Sequence, residues 1–237
     1  MINTESNQRE ISWFRARFGS FTGSEVHKLM TNPRKKGEPW SETAKTYIYQ
    51  IAAERLFNPQ FLSDDDIFQS YLDQVAVSTR AMEWGVQQEE SARQLYSSLN
   101  DDVEVFEVSS CAHDIIPHFA ASPDGIVRGE EQKCLEIKCP SLAVHTRYAA
   151  EIHDAASLKA VKPEYYWQVM AEMSCTGCTS ADFVSYCAWL SSPIHIVHIE
   201  RNDDDIRLLE ERVRLANDYI AKTFNVYPPS SPIKRPR

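Results

Sequence analysis

A chain of 237 residues, 43% hydrophobic and 25% charged, has the bulk of one soluble, enzyme-sized globular domain. It holds no apolar run near the roughly 18 residues a membrane span needs, and residues 1–9 are polar, so neither a span nor a secretory leader is expected and the cytoplasm is the expected compartment. The net charge of −9 weighs against capture of a polyanion by charge alone, although carboxylates gathered to hold divalent cations would account for part of it.

The first helix is expected from about Thr22 to just before Pro33, followed by a basic loop over 33–39. From Ser41, the apolar residues Ala44, Tyr47, Ile48, Ile51 and Ala52 recur with helical spacing and predict a helix over 41–56, which Asn58-Pro59 breaks. The acidic runs 64–66 and 203–205 read as solvated loops or helix starts. A further helix is predicted over 78–99, ending in a turn at 100–102. The next forty residues change period, with β-branched and aromatic residues that predict three short strands. After Pro140 the pattern is helical to about Cys175. Strands over 182–190 and 195–200 follow, then a long amphipathic helix over 203–224. The fold class is therefore α/β, a mixed central sheet flanked by helices. Residues 1–229 read as a single domain and 230–237 as a flexible basic tail.

The segment richest in chemistry is Ser122-Pro123-Asp124-Gly125, followed after a gap by Glu136-Ile137-Lys138. Alternation on a strand turns Glu136 and Lys138 to one face and Leu135 and Ile137 to the other. A hairpin between the Asp124 and Glu136 strands would bring both carboxylates to one hard cation, Mg²⁺ or Mn²⁺, with the Ile137 carbonyl as a third oxygen donor. Such a cation orients and acidifies water and stabilises charge on a phosphate under attack. Lys138 would stabilise the same charge or, with a lowered pKa, move a proton. Taken alone, Glu-X-Lys is more commonly an exposed pair on a strand, and Asp-Gly a plain turn.

Five motifs occur in order from Trp13 nearly to the end of the last predicted helix. They are Arg17-Phe18-Gly19-Ser20-Phe21-Thr22-Gly23-Ser24, Glu83-Trp84-Gly85 leading to Glu89, Ser122-Pro123-Asp124-Gly125, Leu135-Glu136-Ile137-Lys138-Cys139-Pro140, and Tyr165-Tyr166-Trp167-Gln168. Together they resemble the lambda-exonuclease family of phage recombination nucleases, within the PD-(D/E)XK superfamily. The resemblance implies a restriction-endonuclease-like core and metal-binding roles for Asp124, Glu136, the Ile137 carbonyl and Glu89. It implies that Lys138 is the catalytic lysine, and that Mg²⁺, or alternatively Mn²⁺, binds as two ions per site. Arg17, Ser24, Ser122 and Gln168 match positions that receive the 5′-phosphate of a DNA end. Arg34, Lys35 and Lys36 match a DNA-facing loop, with Arg34 the candidate for a minor groove. A helix cap for Ser24 and a solvated loop for 34–36 are the structural alternatives. Where many relatives carry a second glutamine, this chain has Met170.

The implied activity is 5′-to-3′ digestion of one strand of linear duplex DNA, leaving a 3′ single strand. The implied partners are DNA ends, further copies of the chain in a ring-shaped homotrimer, and a phage-type single-strand annealing protein, in a bacterial host cell. A superfamily endonuclease and a catalytically silent DNA-end-binding module are the alternatives. The spacing of Cys175 and Cys178 suits a zinc knuckle, but no second such pair accompanies it. Of the tryptophans, Trp40 alone lies in a predicted loop and is the one open to base stacking; the other four are expected in the core.

Overall fold

The computed structural model describes residues 10–75, 80–99, 103–129 and 131–226. The chain opens with α1 (Ile11–Arg17), and Gly19, at φ +73°, turns it into β1 (Phe21–Thr22) and a 3-10 helix (Val26–Met30). Four helices follow: α2 (Glu42–Arg55), α3 (Pro59–Ser63), α4 (Asp65–Val75) and α5 (Arg80–Ser98). Five strands come next: β2 (Glu104–Phe106), β3 (Cys111–Ala112), β4 (Phe119–Ala121), β5 (Gly125–Arg128) and β6 (Lys133–Lys138). The chain then forms α6 (Leu142–Glu151), α7 (Ala155–Val161) and α8 (Pro163–Thr176), and ends in β7 (Ser180–Tyr186), β8 (Ile194–Glu200) and α9 (Asp203–Phe224).

The larger sheet has the order β2-β5-β6-β7-β8, with β6 and β7 parallel and the other pairs antiparallel. A parallel pair needs a long crossover, here α6 to α8, and it is covered on both faces. The smaller sheet, β1-β4-β3, is also mixed. One face of β6 and β7 packs Cys134 and Phe183 into a core shared with α2, α8 and α9. The other face packs Leu135, Ile137 and Val184 against Ala92 and Tyr96 of α5. This is the mixed sheet between helices that the sequence pattern predicts.

Several local expectations are corrected. The helix expected from Thr22 is a two-residue strand and a 3-10 turn, because Phe21 and Thr22 pair in parallel with Phe119 and Ala120. Helix α1, which precedes it, was not expected. Pro59 does not simply break a helix: it starts α3, and the Asn58 side chain accepts a hydrogen bond from Gln60 N–H at its N-terminus. The acidic runs are helix starts. Asp64 accepts from Ile67 N–H ahead of α4, and Asp203 to Asp205 fill the first turn of α9. The first of the two late strands ends at Tyr186, not 190. The predicted helix start at Ser78, the turn at 100–102 and the tail at 230–237 lie outside the described residues. Among the described residues, no helix is long and apolar enough to cross a membrane.

Candidate active site

The antiparallel hairpin of β5 and β6 sets the core of the site. Gly125 lies opposite Leu135, and a Cβ on it would fall 2.9 Å from Val105 Cγ1 of β2, so only glycine lets the three strands close here. The turn before Gly125 carries Asp124, whose Oδ2 accepts the Ile137 N–H at 2.7 Å. That bond ties the Asp124 carboxylate to the strand that carries Glu136 and Lys138.

Glu136 points to the α8 face and is 1% exposed. Its Oε1 accepts from Lys138 Nζ and, at 2.6 Å, from Gln168 Nε2. The same Gln168 nitrogen donates to Glu172 Oε1 at 3.1 Å, so both amide hydrogens are committed to carboxylates. Glu136 Oε2 and Glu172 Oε2 are buried without a hydrogen-bond partner. Burial, with the Glu136 carboxylate nearby, pushes the Asp124 and Glu172 carboxyls well above their ordinary values. The Asp124 and Glu136 carboxylates and the Ile137 carbonyl are oxygen donors of the kind a hard divalent cation takes. Among the described residues, no three His, Cys, Asp or Glu side chains form a group able to hold a metal ion. Glu89, on α5, lines the same site and adds to the upward push on the Asp124 carboxyl.

Burial pulls the Lys138 ammonium down, but the Glu136 and Asp124 carboxylates and the hydrogen bond to Glu136 outweigh it and raise its pKa above the lysine range. Beside these carboxylates Lys138 is held as a cation, which suits the first of the roles expected for it, charge stabilisation. Its Nζ also lies 5.0 Å from the Tyr165 ring centroid.

These groups line a cleft of about 1010 Å³ that also takes in Glu89, Arg17, Ser24 and Ser122. Arg17 ends α1, and its guanidinium stacks 3.9 Å from the Trp13 ring centroid. Loss of solvent lowers its pKa to about 10, against the pull of Tyr47 and Glu54, so it stays cationic at neutral pH. The Ser122 hydroxyl is buried and unpartnered. Ser24 does not cap the 3-10 helix, whose N-cap is Glu25; its carbonyl instead contacts His27 Nδ1 at 3.1 Å. The structure thus gathers Arg17, Ser24, Ser122 and Gln168 in the cleft of Asp124, Glu136 and Lys138, with Gln168 acting as a bracket for Glu136. Arg34, Lys35 and Lys36 are exposed and do not line the cleft.

One cleft residue, Trp189, and two residues outside the cleft lining, Glu172 and Cys178, were not anticipated. Glu172, one turn beyond Gln168, carries only a spacing signal that any core-facing helix position shares. Trp189, expected in the core, is exposed and lines the cleft, whereas Trp40, expected to be the available one, is 5% exposed under Arg212. Cys178 pairs with Cys134 rather than Cys175, and that hydrogen bond lowers its thiol pKa to about 7. Met170, in the place of a second glutamine, is fully buried.

A buried acidic cluster with a lysine on the strand after an Asp-Gly turn, under a crossover helix carrying glutamine, defines a nuclease-like α/β fold. Residues 12–179 match the YqaJ-like viral recombinase domain, and the chain belongs to that family. The fold is similar to an alkaline exonuclease (LHK-Exo) from Laribacter hongkongensis, with TM-score 0.70 and 28% identity over 90% of this chain and 94% of that one. The complex of LHK-Exo with dAMP aligns at 29% identity, with the same TM-score of 0.70 and the same coverage of 90% and 94%. A phage-related exonuclease from Haemophilus somnus 129PT shares the fold at TM-score 0.61 and 19% identity, over 87% of this chain and 95% of that one. No curated protein matches the sequence. The resemblance to phage recombination nucleases therefore holds at the level of family and fold.

Proposed function

We propose that this chain is a divalent-metal-dependent exodeoxyribonuclease that digests one strand of linear duplex DNA from its 5′ end. The observation that carries this reading is the shared cleft, in which the Asp124, Glu136 and Lys138 cluster lies together with Arg17, Ser24 and the unpartnered Ser122 hydroxyl. Family membership and the likeness to LHK-Exo support it.

In this reading Asp124, Glu136 and the Ile137 carbonyl would hold Mg²⁺ or Mn²⁺, with Glu89 the further carboxylate available for a second ion. The ions supply Lewis acidity and an acidified water. Lys138 stabilises charge on the scissile phosphate. Arg17 clamps the terminal 5′-phosphate, with hydroxyl donors from Ser24 and Ser122, while Gln168 holds Glu136 in place. Arg34, Lys35 and Lys36 touch the DNA ahead of the site. Residues 1–229 act as one nuclease domain, in the cytoplasm of a bacterial host. The product is a 3′ single strand that passes to a phage-type annealing protein. A ring-shaped homotrimer would sustain digestion, and light scattering should then give about three times 27.1 kDa; a strict monomer would remove the ring.

The test compares end-labelled duplexes bearing 5′-phosphate or 5′-hydroxyl ends, and a covalently closed circle, with and without Mg²⁺. Loss of the label from linear DNA, faster at 5′-phosphorylated than at 5′-hydroxyl ends and only with metal, is expected. Cutting of the circle would favour an endonuclease. Arg17→Ala should slow hydrolysis of phosphorylated ends by about 10- to 100-fold and of hydroxyl ends far less. Equal slowing of both would exclude the phosphate pocket.

A further inference from the structure

Trp84 of α5 and Trp189, in the turn between β7 and β8, stack at the cleft with ring centroids 5.7 Å apart and planes within 12°. Trp189 is nevertheless 70% exposed. The turn that carries it is fixed by backbone hydrogen bonds, Cys187 N–H to the Pro193 carbonyl at 2.8 Å and Leu190 N–H to the Cys187 carbonyl at 3.2 Å. One indole face of Trp189 is thus covered by Trp84, and most of the rest meets solvent. Pinning the turn to α5 explains the covered face only.

We propose that this pair is a base-stacking platform, on which the outer face of Trp189 receives an unpaired nucleobase of the strand held in the cleft. The proposal rests on the nuclease reading above. The occupant follows from three observations. The platform lines the same cleft as Asp124, Glu136 and Lys138, so a strand whose phosphate reaches those groups brings its bases near the indoles. Interior bases of a duplex are stacked on both faces, so an indole beside a strand threaded to those acidic groups takes a base that has left the helix. The protein carries a net charge of −9, and carboxylates crowd the cleft floor, so phosphate attraction alone holds a strand poorly there. Stacking holds a base without needing charge.

The platform can be read without hydrolysis, using the full chain in EDTA. The probe is a 5′-phosphorylated duplex with a short unpaired end, carrying the fluorescent base 2-aminopurine at each unpaired position in turn. Wild-type protein should quench at least one of these positions several-fold and leave an internal paired position unchanged. Trp189→Ala should abolish the quenching and weaken binding of the forked end by roughly 5- to 100-fold. Trp189→Phe should keep part of both, whereas Trp189→Leu, which still covers Trp84 with an apolar side chain, should behave like alanine. Melting curves verify that each variant folds. Undiminished 2-aminopurine fluorescence at every unpaired position with bound wild type, or equal binding by wild type and Trp189→Leu, overturns the platform. If Mg²⁺-dependent digestion persists in that case, the nuclease reading survives alone; if the protein neither binds nor cuts DNA, both fall.

Discussion

The two faces of the central strands β6 and β7 treat buried acids in opposite ways. On the α5 face, Asp182 is 5% exposed, and both its oxygens are engaged by Tyr96 Oη at 2.5 Å, His198 Nδ1 at 2.8 Å and Lys133 Nζ at 3.2 Å. On the α8 face, Glu136 and Glu172 are 1% and 0% exposed, yet each keeps one oxygen that no other residue's N–H or O–H engages, and only a proton held between the two carboxyls joins them. An unsatisfied buried polar atom costs about 1–3 kcal/mol, so the α8 face forgoes stability that the α5 face secures. The closed network specifies one arrangement of strands and helix. The open one keeps coordination capacity for a ligand, which is where a functional site is expected to break the packing rules.

The largest test of this contrast exchanges one acid on each side of the sheet. Asp182→Ala removes the acceptor that the Tyr96 hydroxyl and His198 share and the partner of a partly buried Lys133, so it should cost about 3 kcal/mol and lower the melting temperature by roughly 6–12 °C. Asp124→Asn keeps an oxygen for the Ile137 N–H while removing negative charge from a crowded cluster. Its melting temperature should be no lower than that of wild type, while Mg²⁺-dependent digestion should fall by at least about 10²-fold. The contrast collapses if Asp182→Ala melts like wild type, or if Asp124→Asn digests DNA at the native rate.

What the sequence makes legible here depends on the reach of the determining interaction. Helix α2 is readable because Ser41 and the spacing of its apolar residues act within a turn or two; Ser41 Oγ accepts the Ala44 N–H at 3.0 Å. Glu136 and Lys138 are readable because strand alternation alone puts them on one face. Strand β1 is not, since its two residues are ordered by β4, nearly one hundred positions away. Strand β3 is hidden for the same reason: it is two residues long and is defined by its pairing with β4. The role of Trp189 is unreadable because nothing local tells a core indole from one laid against Trp84 at a cleft. Glu172 hides in the period of α8, where a core position is expected to be apolar and only the fold shows the carboxylate of Glu136 beneath it.

Glu172 also supplies the smallest and most discriminating test of the open face. Burial, and the Glu136 carboxylate next to it, raise its folded-state pKa well above the usual carboxylate value. The sign follows from proton linkage. The folded protein binds a proton at Glu172 that the unfolded chain has already released, so this group's contribution to stability is complete below the unfolded pKa, near 4, and is lost as pH rises toward the raised folded value. Glu172→Gln has nothing to titrate and retains an oxygen to accept from Gln168 Nε2, so it should escape that loss. In EDTA, the variant should melt close to wild type near pH 4.5, and its advantage should widen as pH rises to 8, by about 2–4 °C for each kcal/mol recovered. Asp124, whose pKa is raised in the same direction, titrates in both proteins, so the difference between the two curves isolates Glu172 and its coupling to Glu136. A melting difference that stays flat across this range would mean that Glu172 is charged and compensated in the fold. The α8 face would then be as closed as the face that holds Asp182.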